Sequence, residues 1–242
     1  KDAAIGILTT DTRPKLLSKQ VKLADSLVTI TGFAKGSGMI RPNMATMLSF
    51  VFTDALIEKE LLDEMISELV DESFNRITVD GDTSTNDAAM LVATGKSGVQ
   101  IAELDDTNKR KFVTCLKSVF QQLAKEIIKD AEGATKFITV LVKEGRDKDE
   151  CAKVAFCVAE SLLVKTAFFA SDANWGRILA AIGRAGLDNL DTYNVNIDIG
   201  DVRIVTKGNL EETYTEEKGK SVMELDELII SKIGRASCRE RV

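Results

Sequence analysis

Lysine, glycine and threonine come together in one stretch, Lys35-Gly-Ser-Gly-Met-Ile-Arg-Pro-Asn-Met-Ala-Thr46-Met-Leu48. A Pro-Asn turn and a small residue precede Thr46, and an apolar run from Met47 to Phe52, broken only by Ser49, follows it. Thr46 reads in two ways. It can open a strand, as β-branched residues often do. It can also be a nucleophile, released when the chain cuts itself at Ala45–Thr46. An N-to-O acyl shift there frees the Thr46 α-amino group. With an intrinsic pKa of about 7.7–8.0, that amine can act as base for its own hydroxyl.

The chain has no histidine. Ser-His-Asp and Cys-His machinery and His-ligated metal sites are therefore excluded within it. Any nucleophile must take its base from a lysine, a carboxylate or an α-amino group. Cys115, Cys151, Cys157 and Cys238 form no Cys-x-x-Cys pair and lack metal-ligand spacing, so no metal site is expected. The first three fall in apolar helical patterns and read as buried free thiols, which fits a reducing, cytoplasmic compartment.

Other segments carry groups able to line a site. Thr9-Thr-Asp-Thr12 follows an apolar run, Ala3–Leu8, that reads as a short strand. Its hydroxyls and carboxylate suit either ligand contact or turn capping. Thr78-Val-Asp-Gly-Asp-Thr-Ser-Thr-Asn-Asp87 is a polar loop. Asp80, Asp82 and Asp87 could hold a cation, but the loop lacks the calcium-loop pattern and reads better as a hydrogen-bonded loop bordering a site. Glu132 lies among small residues after a long helical pattern, either solvated or pointing into a cleft.

The 242 residues carry 44% hydrophobic and 29% charged side chains, in the soluble globular range. The net charge of −6 has no basic block, which argues against nucleic acid. No apolar run approaches the ~20 residues of a membrane span, and no secretory signal is visible at the start.

The elements expected to position these groups follow from periodicity. Leu27–Thr31 alternates as one strand of a hairpin, and Gly32, Gly36 and Gly38 then open backbone conformations closed to other residues. Met47–Thr53 reads as a strand buried on both faces. Helical stripes cover Glu58–Phe74, Asp105–Asp130 and Asp147–Leu163. Strands are expected at Arg76–Val79, Ala88–Thr94, Phe137–Val142 and Val164–Phe169. Ile178–Ile182 is a short helix. Asn194–Ile199 and Val202–Lys207 flank the turn Gly200-Asp201, and Ser221–Ile230 reads as a last helix capped by Ser221. The class is α/β or α+β with mixed sheets.

The stretch from Lys35 to Leu48 resembles the autoprocessing junction of the ornithine acetyltransferases, or glutamate N-acetyltransferases, of arginine biosynthesis. Thr9–Thr12, Thr78–Asp87, Glu132-Gly-Ala-Thr-Lys136 and Ala173-Asn-Trp-Gly-Arg177 resemble further motifs of that family, in the same order. The resemblance implies a mixed α/β sandwich of two sheets flanked by helices, in an N-terminal-nucleophile-like enzyme. It implies cleavage between Ala45 and Thr46, with residues 1–45 closing an alpha chain and 46–232 forming a beta chain truncated at its C-terminus. The two chains stay together, as a heterotetramer of two of each. Thr46 then carries the acetyl group from N2-acetyl-L-ornithine to L-glutamate by a ping-pong route. Thr9, Lys35, Thr46 and Glu132 match substrate-contacting positions. No cofactor is implied; acetyl-CoA as a second acetyl donor stays open, and no nucleic acid or membrane partner is expected.

Residues 233–242, with a net charge of +2, are similar to a translated sequencing adaptor and are expected to be non-native; without them the net charge is −8. The family's oxyanion-hole Thr-Gly pair would precede Lys1, and its C-terminal site segment would follow Lys232. The expectation is that this fragment alone is inactive. Two alternatives stand beside the transferase: a self-processing amidase or aminopeptidase of related fold, and an unprocessed, non-catalytic fragment.

Overall fold

The computed structural model describes residues 1–41, 47–188, 190–233 and 238–241. It divides into two units, Lys1–Gly133 and Ala134–Val242.

The first unit opens on a short helix, α1 (Asp2–Gly6), where a strand was expected. Ala3 and Ala4 are strong helix formers and Asp2 suits a first turn, so local propensity outweighs the apolar run. β1 (Lys15–Leu23) and β2 (Ser26–Lys35) then form an antiparallel hairpin with Lys15 opposite Ala34 and Leu23 opposite Ser26. β3 (Leu48–Thr53) pairs antiparallel with β2, and β4 (Ala88–Ala93) pairs parallel with β3. The sheet order is β1-β2-β3-β4. β3 is not buried on both faces: Ser49, Val51 and Thr53 are buried, while Phe52 on the other face is 36% exposed. Between β3 and β4 lies α2 (Lys59–Asp71). Arg76–Val79 is not a strand. A single 3-10 turn at Phe74–Arg76 is followed by irregular chain, whose Val79 N–H bonds the Ile40 carbonyl at 2.6 Å.

α3 (Asp106–Lys129) is the helix the sequence called for. Asp105 caps it by accepting the Asn108 N–H at 2.9 Å. Its stripe of Phe112, Leu116, Val119, Phe120, Leu123 and Ile127 is fully buried. Burying each such side chain contributes about 1.5–3 kcal/mol. This stripe packs on the hairpin around Leu23, Val28 and Ile30, with Val51 of β3 in the same core. Gly32 of β2 lets the helix come close: a Cβ there would sit 2.9 Å from Leu123 Cδ1.

The second unit holds a six-stranded sheet. β5 (Phe137–Gly145) precedes α4 (Lys148–Ala159), α5 (Leu162–Phe169) and α6 (Trp175–Gly183). The single helix expected over Asp147–Leu163 is two, and Val164–Phe169 is helical. Ser161 is the physical reason: its hydroxyl accepts the Val164 N–H and starts a new helix. β6 (Asn196–Ile199) and β7 (Val202–Thr206) form the expected hairpin, with Gly200 at φ +56° in the turn. β8 (Asn209–Leu210) adds to its edge.

The last expected helix is displaced. α7 spans Glu216–Met223 with Thr215 as its cap, and Glu227–Ile233 is a strand, β9. Leu228 and Ile230 are buried while Ile229 is 46% exposed, the alternation of a sheet rather than the stripe of a helix. β9 lies between β5, parallel, and β6, antiparallel. Cys238–Arg241 forms β10 on the outer side of β5. Ala152 and Ala155 of α4 pack closely, as their size suggests. Cys151 is buried, and Cys115 and Cys157 are half-buried. The mixed α/β class with two sheets and flanking helices is as expected.

Candidate active site

One end of the four-stranded sheet gathers the motif segments of the first unit. β2 ends at Lys35, which faces Leu48 at the start of β3; Leu48 in turn faces Ala88 at the start of β4. The residues just beyond, Gly36, Met47 and Asp87, therefore lie at the same end of three neighbouring strands. The Ala88 N–H donates to the Met47 carbonyl at 2.9 Å, which continues the ladder one step past the strands.

The loop Thr9–Thr12 is bound to this end by a buried ion network. Lys15, 2% exposed, reaches Asp11 and Asp130. Asp11 also accepts the Gly36 N–H at 2.7 Å, and Asp130 accepts the Thr12 N–H at 3.0 Å and the Thr12 hydroxyl. Burial alone would raise the Asp11 carboxyl. The Gly36 N–H, the Lys15 ammonium and the Thr9 N–H outweigh it and hold the group below its usual range. Asp130 behaves alike: burial opposes ionisation, and Lys15 with Thr12 overcomes it.

The glycine loop after Lys35 is held on both sides. The Thr10 and Ser37 hydroxyls share a 2.6 Å hydrogen bond. The Glu132 N–H donates to the Ser37 carbonyl at 2.9 Å, and the Glu132 carboxylate lies where a Cβ on Gly38 would stand, 3.0 Å away. Of the three glycines expected to open unusual backbone, only Gly36 does, at φ +147°. Gly32 and Gly38 instead leave room for a neighbouring side chain.

The polar loop before β4 lashes the next residues down. Asp80 accepts the Met39 N–H at 2.6 Å and the Ile40 N–H at 3.1 Å. The Thr83 hydroxyl donates to the Arg41 carbonyl at 3.1 Å. Met39 is held at φ +54°, a conformation that a non-glycine residue keeps only when its surroundings enforce it. The Asp80 carboxylate thus serves backbone N–H groups, as a hydrogen-bonded loop requires. No group of three His, Cys, Asp or Glu side chains among the described residues could hold a metal ion.

Asp87 stands apart. Both carboxylate oxygens are buried and lack a hydrogen bond of acceptable geometry. Burial raises the group to about 7, against the weaker pull of the Met47 backbone N–H and the Lys35 charge.

Of the residues singled out from sequence, Lys35, Glu132 and the Thr9–Thr12 loop are brought to this sheet end. Thr9 itself is exposed and bonds through its N–H to Asp11 at 3.3 Å; the hydroxyls that engage neighbours are those of Thr10 and Thr12. Ala45 and Thr46 lie outside the described residues. Sequence reasoning missed Lys15 and Asp130. A lysine four residues after Asp11, on the inward register of a strand, was the available signal.

Fold and loop cluster define a mixed α/β chain of two sheets with lysine and carboxylates collected at one sheet end. The profile of the ArgJ family matches residues 1–239, and the chain belongs to that family. It is 56% identical over 229 residues to the arginine biosynthesis bifunctional protein ArgJ of Psychrobacter arcticus, covering 94% of this chain and 56% of that protein. To the protein of the same name from Pseudomonas fluorescens it is 47% identical over 244 residues, covering 99% of this chain and 60% of that one. The crystal structure of arginine biosynthesis bifunctional protein argJ from Bacillus halodurans superposes with a TM-score of 0.74 at 37% identity. That likeness covers 81% of this chain and 92% of the other. The chain spans 56–60% of the length of these curated relatives.

Proposed function

We propose that this chain is part of an acetyltransferase of arginine biosynthesis that moves an acetyl group from N2-acetyl-L-ornithine to L-glutamate. The observation that carries the proposal is the meeting of Lys35, Glu132, Asp87 and the Thr9–Thr12 loop at the sheet end from which β3 departs. Thr46 stands one residue further back in the chain, separated from that strand by Met47. The names of the relatives, which refer to arginine biosynthesis and a bifunctional protein, support the same reading.

In this reading the precursor cuts itself at Ala45–Thr46. The Thr46 hydroxyl then attacks the acetyl carbonyl of N2-acetyl-L-ornithine. The carbon–nitrogen bond breaks, ornithine leaves with the proton, and an acetyl ester remains on Thr46. The amine of L-glutamate attacks that ester, and the hydroxyl regains its proton from the attacking amine. The freed Thr46 amine acts as base. Lys35 pairs with a substrate carboxylate and Glu132 with a substrate ammonium. The two pieces remain assembled, in the cytoplasm, as two alpha and two beta chains.

Intact-mass measurement on the full-length gene product tests the first step, and acetyl transfer between the two amino acids tests the second. Two pieces meeting at Ala45/Thr46 are expected, and Thr46→Ala should give one uncut, inactive chain. Cleavage persisting in Thr46→Ala would sink the assignment. Transfer of the acyl group to water in place of glutamate would favour an amidase.

A further inference from the structure

Lys35 and Glu132, the proposed partners of a substrate carboxylate and a substrate ammonium, come from distant parts of the chain. Ser37 joins their segments. It lies two positions past Lys35 and is 2% exposed. Its carbonyl accepts the Glu132 N–H at 2.9 Å. Its hydroxyl shares a 2.6 Å hydrogen bond with the Thr10 hydroxyl. On one side of it, Gly36 gives its N–H to Asp11 at 2.7 Å. On the other, the Glu132 carboxylate fills the space that a Cβ on Gly38 would need, 3.0 Å away.

These bonds fix a length. The Lys35 backbone is set by β2, where it faces Leu48. The Glu132 backbone is set by the Ser37 carbonyl. Gly36, part of Ser37 and one hydrogen bond separate the two. Opposite charges held at a fixed spacing select ligands whose own charges have the matching spacing. An N2-acylated diamino acid carries such a pair: its α-carboxylate at one end and its side-chain ammonium at the other, the acylated α-nitrogen being uncharged. We propose that Ser37 is a positioning residue that sets the spacing of the Lys35 ammonium and the Glu132 carboxylate, and so selects the acetyl donor by the length of its side chain. The inference rests on the roles given to Lys35 and Glu132 above.

Ser37 does this without touching substrate. Its buried hydroxyl needs a partner, and Thr10 supplies it. Thr10 is exposed, so its hydroxyl can turn to water when Ser37 loses its own. Removing the bond therefore loosens the loop and strands no buried group. Asp11 and Asp80 still hold the Gly36, Met39 and Ile40 N–H groups.

The test measures kcat/KM of the full-length gene product with two donors one methylene apart, N2-acetyl-L-ornithine and N2-acetyl-L-lysine, and L-glutamate as acceptor. The unaltered enzyme should prefer the shorter donor by roughly 10–200-fold. Ser37→Ala should raise the donor KM, change kcat less, and shrink that preference by about fivefold, as loss of one hydrogen bond implies. Thr10→Val removes the same bond from the other side and should act alike, while Thr10→Ser should keep the preference. Ser37→Ala combined with Thr10→Val should lose no more than either alone. Glu132→Asp, which shortens the carboxylate arm by one methylene, should move the preference toward the longer donor.

If Ser37→Ala and Thr10→Val weaken both donors equally and leave the ratio unchanged, the role is structural; the inference fails and the transfer reading stands. An unaltered enzyme that takes both donors alike overturns it in the same way. An unmoved preference in Glu132→Asp removes the ammonium contact on which the inference is built. If the unaltered enzyme moves no acetyl group to glutamate, the transfer reading fails and the inference with it.

Discussion

Asp11 accepts the backbone N–H of Gly36 at 2.7 Å, which ties the loop ahead of β1 to the loop behind β2. The bond is neutral on the Gly36 side, yet the carboxylate that makes it is fixed by the buried ammonium of Lys15. A single cation thus orders two loops and, through Asp130, the end of α3.

Lys15→Met should therefore destabilise the first unit by about 3–5 kcal/mol, because it strands two buried carboxylates. Adding Asp11→Asn and Asp130→Asn to it should recover part of the loss in urea melts. The pH dependence has a definite sign. Both carboxyls are held below their ordinary range, so their contribution is present above about pH 4 and disappears as pH falls through the depressed values. Acid should unfold the unaltered chain more steeply than the Lys15→Met chain.

Asp80→Ala removes the acceptor for the Met39 and Ile40 N–H groups. Amide exchange at those two residues should speed up at least about tenfold, as a lost hydrogen bond of roughly 1–1.5 kcal/mol implies. Exchange in α3 should not change. Protection retained at Met39 would show that another group holds the loop.

Two glycines separate packing from binding. Gly32→Ala drives a Cβ into Leu123, Val119 and Val51 and should cost about 1–3 kcal/mol by thermal melting. Gly38→Ala meets only the mobile end of Glu132, at an ordinary backbone angle. Its stability should be unchanged or up to about 1 kcal/mol higher, while the full-length enzyme should show a raised KM for the substrate ammonium that Glu132 is proposed to hold.

Asp87→Asn should stabilise the uncut Thr46→Ala chain at alkaline pH. The folded state raises this carboxyl to about 7 from an ordinary value near 4, so it favours the proton and opposes ionisation. The penalty on the unaltered residue starts near pH 4, grows to about pH 7 and then levels off. Denaturation of the two chains at pH 4, 6 and 8 checks this; an equal difference at all three would contradict it.

What the sequence made legible was local and periodic. The α3 stripe carries an unbroken 3.6-residue period with an Asp cap, and it appeared as read. The β6–β7 hairpin was equally plain from its Gly200-Asp201 turn. Glu227–Ile233 was not, because an apolar run of that length fits helix and strand alike and only its place between β5 and β6 decides. In the candidate site, Lys35 and Glu132 were legible through motifs. Lys15 and Asp130 were not, since they lie 115 positions apart and meet only in the fold. The raised carboxyl of Asp87 depends on burial, which spacing does not encode.

β2 and β3 are neighbours in one sheet, paired from Ile30 opposite Thr53 to Lys35 opposite Leu48. A cut between Ala45 and Thr46 severs their covalent link and leaves this pairing intact, with Val28, Ile30 and Ala34 still sealed beneath α3. The molecule then changes its order of reaction. Unfolding releases two bodies where the uncut chain releases one, and recovery requires them to find each other. A melting temperature that climbs with protein concentration becomes a readout of the severed bond.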